Sequence, residues 1–143
     1  TIILQVASLG EGTAFTLSCD VHTQHPNAIF IAHGGAAVGY ALYLKDGHVV
    51  FAIRNGSGGN ITEITSTQTL TGPSHLVASL NADLTMTPTV NGEAAASGKA
   101  TGLLGRQPQE DFCVGLDNVK PLANYPATDK FEGSIDHIKI TTP

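Results

Sequence analysis

In several separate stretches of this chain, apolar and polar residues alternate at period two, the pattern of a strand with one face buried and one face wet. From Thr13 to Thr23, TAFTLSCDVHT, Phe15, Leu17, Cys19 and Val21 share one side, and Thr16, Ser18, Asp20 and His22 the other. Ser74 to Asn81 repeats the pattern, with Leu76, Ala78 and Leu80 set against His75, Val77 and Ser79. Ala28 to His33 is a continuous apolar run, and Ile61 to Thr67 reads as a further strand. The closing segment FEGSIDHIKI, Phe131 to Ile140, is also strand-like, but Ile135, Ile138 and Ile140 do not keep perfect alternation around Asp136.

Turn chemistry joins these runs. Asp46-Gly47 separates Tyr40 to Lys45 from His48 to Arg54. A two-residue Asp-Gly link between β-rich runs predicts a tight hairpin, because both central residues must reach positive φ. Asn91-Gly92 marks a second hairpin, between Leu84 to Val90 and Glu93 to Ser97, where Pro88 lacks an amide donor and so predicts an edge strand or a bulge. Residues 98–111 and Asp117 to Lys130 are the longest irregular stretches, the places where a compact β-fold usually carries recognition residues. No helical stripe interrupts the strands. The fold class this predicts is all-β, an antiparallel two-sheet jelly-roll sandwich, formed by residues 1–143 as a single domain.

Composition narrows the partners. A formal charge of −5, with seven Lys plus Arg scattered singly, provides no basic stripe for a phosphate backbone, which argues against nucleic acid. No apolar run approaches the roughly 18–20 residues of a membrane span. The first residues, TIILQVASLGEG, lack a basic flank and a small-residue cleavage site and read as a first strand. Beginning at Thr1, the chain reads as a domain excised from a larger secreted protein or as a mature product. Cys19 takes the core phase of its strand, whereas Cys113 lies between Phe112 and Val114, which suit the core themselves. The two thiols are therefore expected on different faces and unbonded.

Catalytic signatures are missing. GEAAASGKA, Gly92 to Ala100, has one residue too many between its glycines and ends in Ala100 where a phosphate-cradling loop needs Ser or Thr. There is no GxSxG elbow and no ExDxxE carboxylate array of the kind that glycoside hydrolysis by β-sandwich glucanases requires, and Asp111 with Asp117 is a poor substitute. Six histidines include no HExxH pair and none beside a CxxC, so no zinc is expected. Asn55-Gly-Ser57 and Asn60-Ile-Thr62 fit the glycosylation sequon on a Gly-rich loop that reads as exposed.

Taken in order, GYALYLKDGHVVFAIRNG, SHLVASLNADLTMTPTVNGEAAASGKATGLL, DFCVGLDN and YPATDKFEGSIDHIKI resemble the laminin-G-like, concanavalin A-like jelly rolls. Within that group they are similar to the domain at the carboxyl end of many bacterial sulfatases. The resemblance implies a non-catalytic accessory domain of a sulfatase-like enzyme acting on sulfated glycans. It would be secreted or periplasmic, with the catalytic domain of the parent chain as partner. The formylglycine motif C/S-x-P-x-R surrounds neither cysteine, since Cys19 precedes DVHT and Cys113 precedes VGLD, so sulfatase chemistry would lie elsewhere in the parent. The alternative is a stand-alone carbohydrate-binding, lectin-like module.

Sugar-binding sandwiches lay a flat ring against a pyranose. The sulfatase pattern places a Trp near Ser74 or His75, and this chain has none. Tyr40, Tyr43 and Tyr125, with Asn118, are left as the candidate glycan-binding residues, and little affinity is expected for neutral oligosaccharides. A sulfated polymer would depend on a local pair such as Lys99 with Arg106. Related sandwiches also hold a structural Ca²⁺ near their termini, where carboxylate and carbonyl oxygens suit a hard cation. The resemblance points to Asp136 as its ligand, and Asp117 heads an oxygen-rich loop that offers a second. The plainer readings are a solvent-facing Asp136 and an Asp117 that starts a turn.

Overall fold

A computed structural model describes residues 4–6, 14–34, 38–56, 61–70, 72–94, 96–104, 112–114 and 133–142. Among them every regular element is a strand: β1 (Leu4–Val6), β2 (Phe15–His22), β3 (Ala28–Gly34), β4 (Val38–Lys45), β5 (His48–Asn55), β6 (Ile61–Thr69), β7 (Ser74–Leu80), β8 (Thr85–Val90), β9 (Glu93–Ala94), β10 (Gly98–Lys99), β11 (Phe112–Val114) and β12 (Ser134–Thr141). A seven-stranded sheet runs β1-β12-β2-β7-β8-β10, with β9 also on β8, and a five-stranded sheet runs β11-β3-β4-β5-β6. All pairings are antiparallel except that β1 lies parallel to β12, Leu4 opposite Ile138. The predicted two-sheet sandwich is thus the observed one, with its first described strand brought alongside its last.

Period-two patterning builds the layer between the sheets. Phe15, Leu17, Cys19 and Val21 of β2 and Leu76, Ala78 and Leu80 of β7 meet Phe30, Tyr40, Leu42, Leu44, Phe51 and Ile53 from the other sheet. Phe15 is the hub, tilted at 48° against Tyr40 with ring centroids 5.0 Å apart and edge-on to Phe51 at 6.2 Å. These offset and edge geometries are the ones that aromatic quadrupoles favour. The five-stranded sheet is buried on its other face as well, where Ile29, Ala32, Ala41, Tyr43, Val50 and Ala52 form a second cluster. That double burial is why β3 and β4 read as near-continuous apolar runs rather than alternating ones.

The turns are set by residues that tolerate positive φ. Asp46 and Gly47 adopt +51° and +83°, and Asn91 and Gly92 adopt +52° and +83°. The arm after Asn91-Gly92 is shorter than the sequence predicts, because β9 holds only Glu93 and Ala94. Of the two expectations, edge strand or bulge, the second holds for Pro88: it pairs with Ala78 of β7, and on its far side the neighbouring strand is broken into β9 and β10, with one extra residue between the Thr89–Ala94 and Met86–Gly98 pairs. The break means that no backbone donor is needed from Pro88. Asn55 is also corrected. It is 8% exposed and its Nδ2 donates to Thr101 Oγ1 at 2.8 Å, so this sequon amide is packed rather than displayed. Asn60 lies outside the described residues.

Candidate functional site

The polar side of the alternating strands faces outward from the seven-stranded sheet, and the pairing register gathers it. Asp20 of β2 lies opposite His75 of β7 on one side and Asp136 of β12 on the other. Between Asp136 and Lys139 the register shifts, and His137 takes a φ of +52°. This bulge inserts an extra residue, so that Ile135 and Ile138 both reach the core. It also explains the imperfect alternation seen in the sequence.

Within this patch Asp20 is the central acceptor. Its Oδ1 lies 2.7 Å from His75 Nδ1 and its Oδ2 lies 2.9 Å from His137 Nδ1. The rings remain open to solvent, with side chains 53% and 58% exposed, while the Asp20 side chain is 46% exposed. Asn91 fixes the β7 member from below. Its backbone amide donates to His75 O, and its Oδ1 accepts from His75 N, both at 2.8 Å. On β12, the His137 amide donates to Asp136 Oδ1 at 2.8 Å. Two carboxylates on paired positions repel, and hydrogen bonds from two imidazoles to one of them offset that repulsion.

Asp20, His75, Asp136 and His137, together with His22, Pro73, Ser74 and Ser134, line an open depression of about 400 Å³. Gly133 precedes Ser134 at the start of β12. At φ +136° it brings the start of β12 so near β2 that a Cβ there would stand 2.1 Å from His22 O.

The residues predicted from the resemblance are placed differently. Tyr40 is 0% exposed in the core, where its hydroxyl shares a 2.9 Å hydrogen bond with His33 Nδ1. Tyr43 is 1% exposed on the other face of the same sheet and donates to Glu63 Oε2. Burial pushes both phenols above their ordinary range, and for Tyr43 the Glu63 carboxylate adds to it. Neither ring presents a face to a sugar, which corrects both assignments. The cause is the double burial of the five-stranded sheet. Tyr125, Asn118, Asp117, Asp111 and Arg106 lie outside the described residues.

Asp136 sits on β12, which β1 joins further along the strand, at Ile138, Lys139 and Ile140. A hard cation takes six to eight oxygens, and Asp136 has imidazoles and the already engaged Asp20 beside it; among the described residues no group of three or more His, Cys, Asp or Glu could hold a metal ion. Cys19 is a free, buried thiol, consistent with the prediction that it does not bond Cys113. Cys113 pairs in register with Ala32, on the other sheet.

The histidines were the missed signal. Asp20, His22 and His75 stand on the polar phase of their strands in the sequence, but their convergence depends on a register joining positions 55 residues apart.

Comparison with known proteins agrees with this architecture. A family model described as the concanavalin A-like lectin/glucanases superfamily matches residues 2–142. Domains LG4–5 of the mouse laminin α1 chain superpose with a TM-score of 0.68 at 14% identity, covering 97% of this chain and 40% of that one. The LG1–3 region of the laminin α2 chain gives 0.70 at 19% identity, over 90% of this chain and 27% of that one. This chain thus spans less than half the length of either laminin fragment. The Ruminococcus gnavus IT-sialidase CBM40, in a structure bound to α2,3-sialyllactose, gives 0.68 at 15% identity, covering 98% of this chain and 87% of that one. No curated protein sequence matches. Among the described residues no helix is long and apolar enough to cross a membrane. With a family model spanning nearly all of its length and the matching sandwich in place, the chain belongs to the concanavalin A-like lectin/glucanases superfamily.

Proposed function

We propose that this chain is a single non-catalytic, glycan-recognising module that works extracellularly beside the catalytic domain of a larger parent protein. The observation that carries the reading is the outer face of the seven-stranded sheet, where an open polar depression is lined by Asp20, His75, Asp136 and His137. The chemistry there is suited to holding rather than cutting. Both oxygens of Asp20 are taken by imidazoles and Asp136 accepts the amide of His137, so neither is poised as the acid or nucleophile that glycoside hydrolysis needs.

The resemblance to the terminal domains of bacterial sulfatases supports a sulfatase-like, secreted or periplasmic parent acting on sulfated glycans. The segments carrying it include the β4–β5 hairpin, β7 to β10, β11 and β12. The second reading, a free-standing lectin-like module, is favoured by the CBM40 likeness, in which almost all of a carbohydrate-binding module is covered.

Calorimetry of the intact chain against neutral, amino and sulfated oligosaccharides tests glycan recognition. Binding of none of them would end that part of the proposal. Sequencing the gene on both sides tests the parent, where a C/S-x-P-x-R motif with clustered acids is the expected finding and its absence from a complete neighbouring reading frame removes the sulfatase.

A further inference from the structure

We infer that Asp20, His75 and His137 are the saccharide-contacting centre, and that they take a sugar donating hydroxyl or ammonium hydrogens rather than a sulfated one. This rests on the glycan-recognising reading above and gives it a place and a ligand chemistry.

A carboxylate can only accept hydrogen bonds. Asp20 is bonded to Nδ1 of both rings, at 2.7 and 2.9 Å, so each Nδ1 must carry the hydrogen. A neutral imidazole has one donor and one acceptor nitrogen. The lone pair is therefore on Nε2 in both His75 and His137. One carboxylate thus fixes two tautomers at once and presents two acceptors at the surface. Among the described residues neither Nε2 has a hydrogen-bond partner, and both rings are more than half exposed.

The surroundings select the ligand. Asp136 stands next to Asp20 in register, so two carboxylates adjoin the acceptors of the depression, and the exposed Lys139 lies beyond them on the same face, opposite Ser18. Sulfate, an acceptor with negative charge, meets repulsion there, whereas hydroxyl and ammonium donors find complementary groups. Further along the same face, Thr141, Thr16, Ser79 and Thr87 occupy consecutive paired positions across β12, β2, β7 and β8. This uncharged hydroxyl row extends the polar surface away from the centre. A sulfated substrate of the parent would then be held here by its unsulfated portions.

Nitrogen-detected NMR of the intact chain reports imidazole tautomers directly. We expect Nδ1–H at His75 and His137 in mildly alkaline buffer. Cellotetraose and a chitosan tetramer should then shift both rings with millimolar affinity, and a heparin tetrasaccharide should not. Asp20→Asn must accept from one ring and donate to the other. It should convert one ring to Nε2–H and weaken binding by about tenfold or more, with the fold intact by the remaining amide spectrum. An Nε2–H tautomer at either ring in the parent sequence overturns the inference. So does binding that shifts other residues while both rings stay unmoved, an outcome that leaves glycan recognition itself standing. Preferential heparin shifts at these rings overturn the ligand class. Failure of all three sugars to bind overturns both this inference and the functional reading beneath it.

Discussion

His33 and Tyr40 face each other across β3 and β4 and share a 2.9 Å hydrogen bond inside the core. Their rings also meet edge to face, 5.3 Å apart. A phenol with this role cannot serve a ligand. Tyr40→Phe should cost about 1–3 kcal/mol, the penalty for removing a partner from a buried polar group. Urea denaturation checks the loss, and calorimetry against the same oligosaccharides should show unchanged binding.

Cys19 gives the molecule an alkaline weakness. Burial, with a smaller push from the Asp20 charge, raises its thiol to about 12. The unfolded thiol ionises from its ordinary value, while the folded one keeps its proton until far higher. Above pH ~9, therefore, the unfolded state binds fewer protons and stability must fall as pH rises, by about 1.4 kcal/mol per unit at most from this group. The decline ends near the folded value. Cys19→Ala should flatten that slope in pH-resolved denaturation, leaving the share due to the raised Tyr40 and Tyr43. A thiol reagent should react with Cys19 only on unfolding.

Gly133→Ala should destabilise the fold by about 1–3 kcal/mol, the usual scale for a residue forced into a sparsely allowed backbone region. The added Cβ would press on His22 O from a φ of +136°. A lowered melting temperature together with altered His22 resonances would show that this glycine sets the approach of β12 to β2.

Calcium should not act through Asp136. Whatever change in melting temperature follows from adding calcium or chelator should be the same in Asp136→Asn as in the parent chain. A response lost on substitution would restore Asp136 as a ligand.

The fold was legible in this sequence because alternation in β2 and β7 and the Asp46-Gly47 and Asn91-Gly92 pairs each follow from local rules. The site was less legible. Tyr40 and Tyr43 look alike as surface candidates, and only the second buried cluster shows why Tyr43 is packed away. The imperfect alternation of Ile135, Ile138 and Ile140 around Asp136 does not reveal that the register shift sets His137 beside Asp20. Pairing across strands distant in sequence is decided by the whole sandwich, so no local pattern could announce it.

The five-stranded sheet is packed on both sides, and this divides the surface into unequal territories for sequence change. Substitutions at Tyr43, Ala52 or Val50 disturb packing as surely as those at Leu42 or Phe51. The outer positions of β2, β7, β8 and β12 can be rewritten without emptying a core. New specificities in this scaffold, natural or engineered, should therefore arise by exchanging that one polar mosaic of side chains, while the opposite sheet stays nearly fixed in sequence.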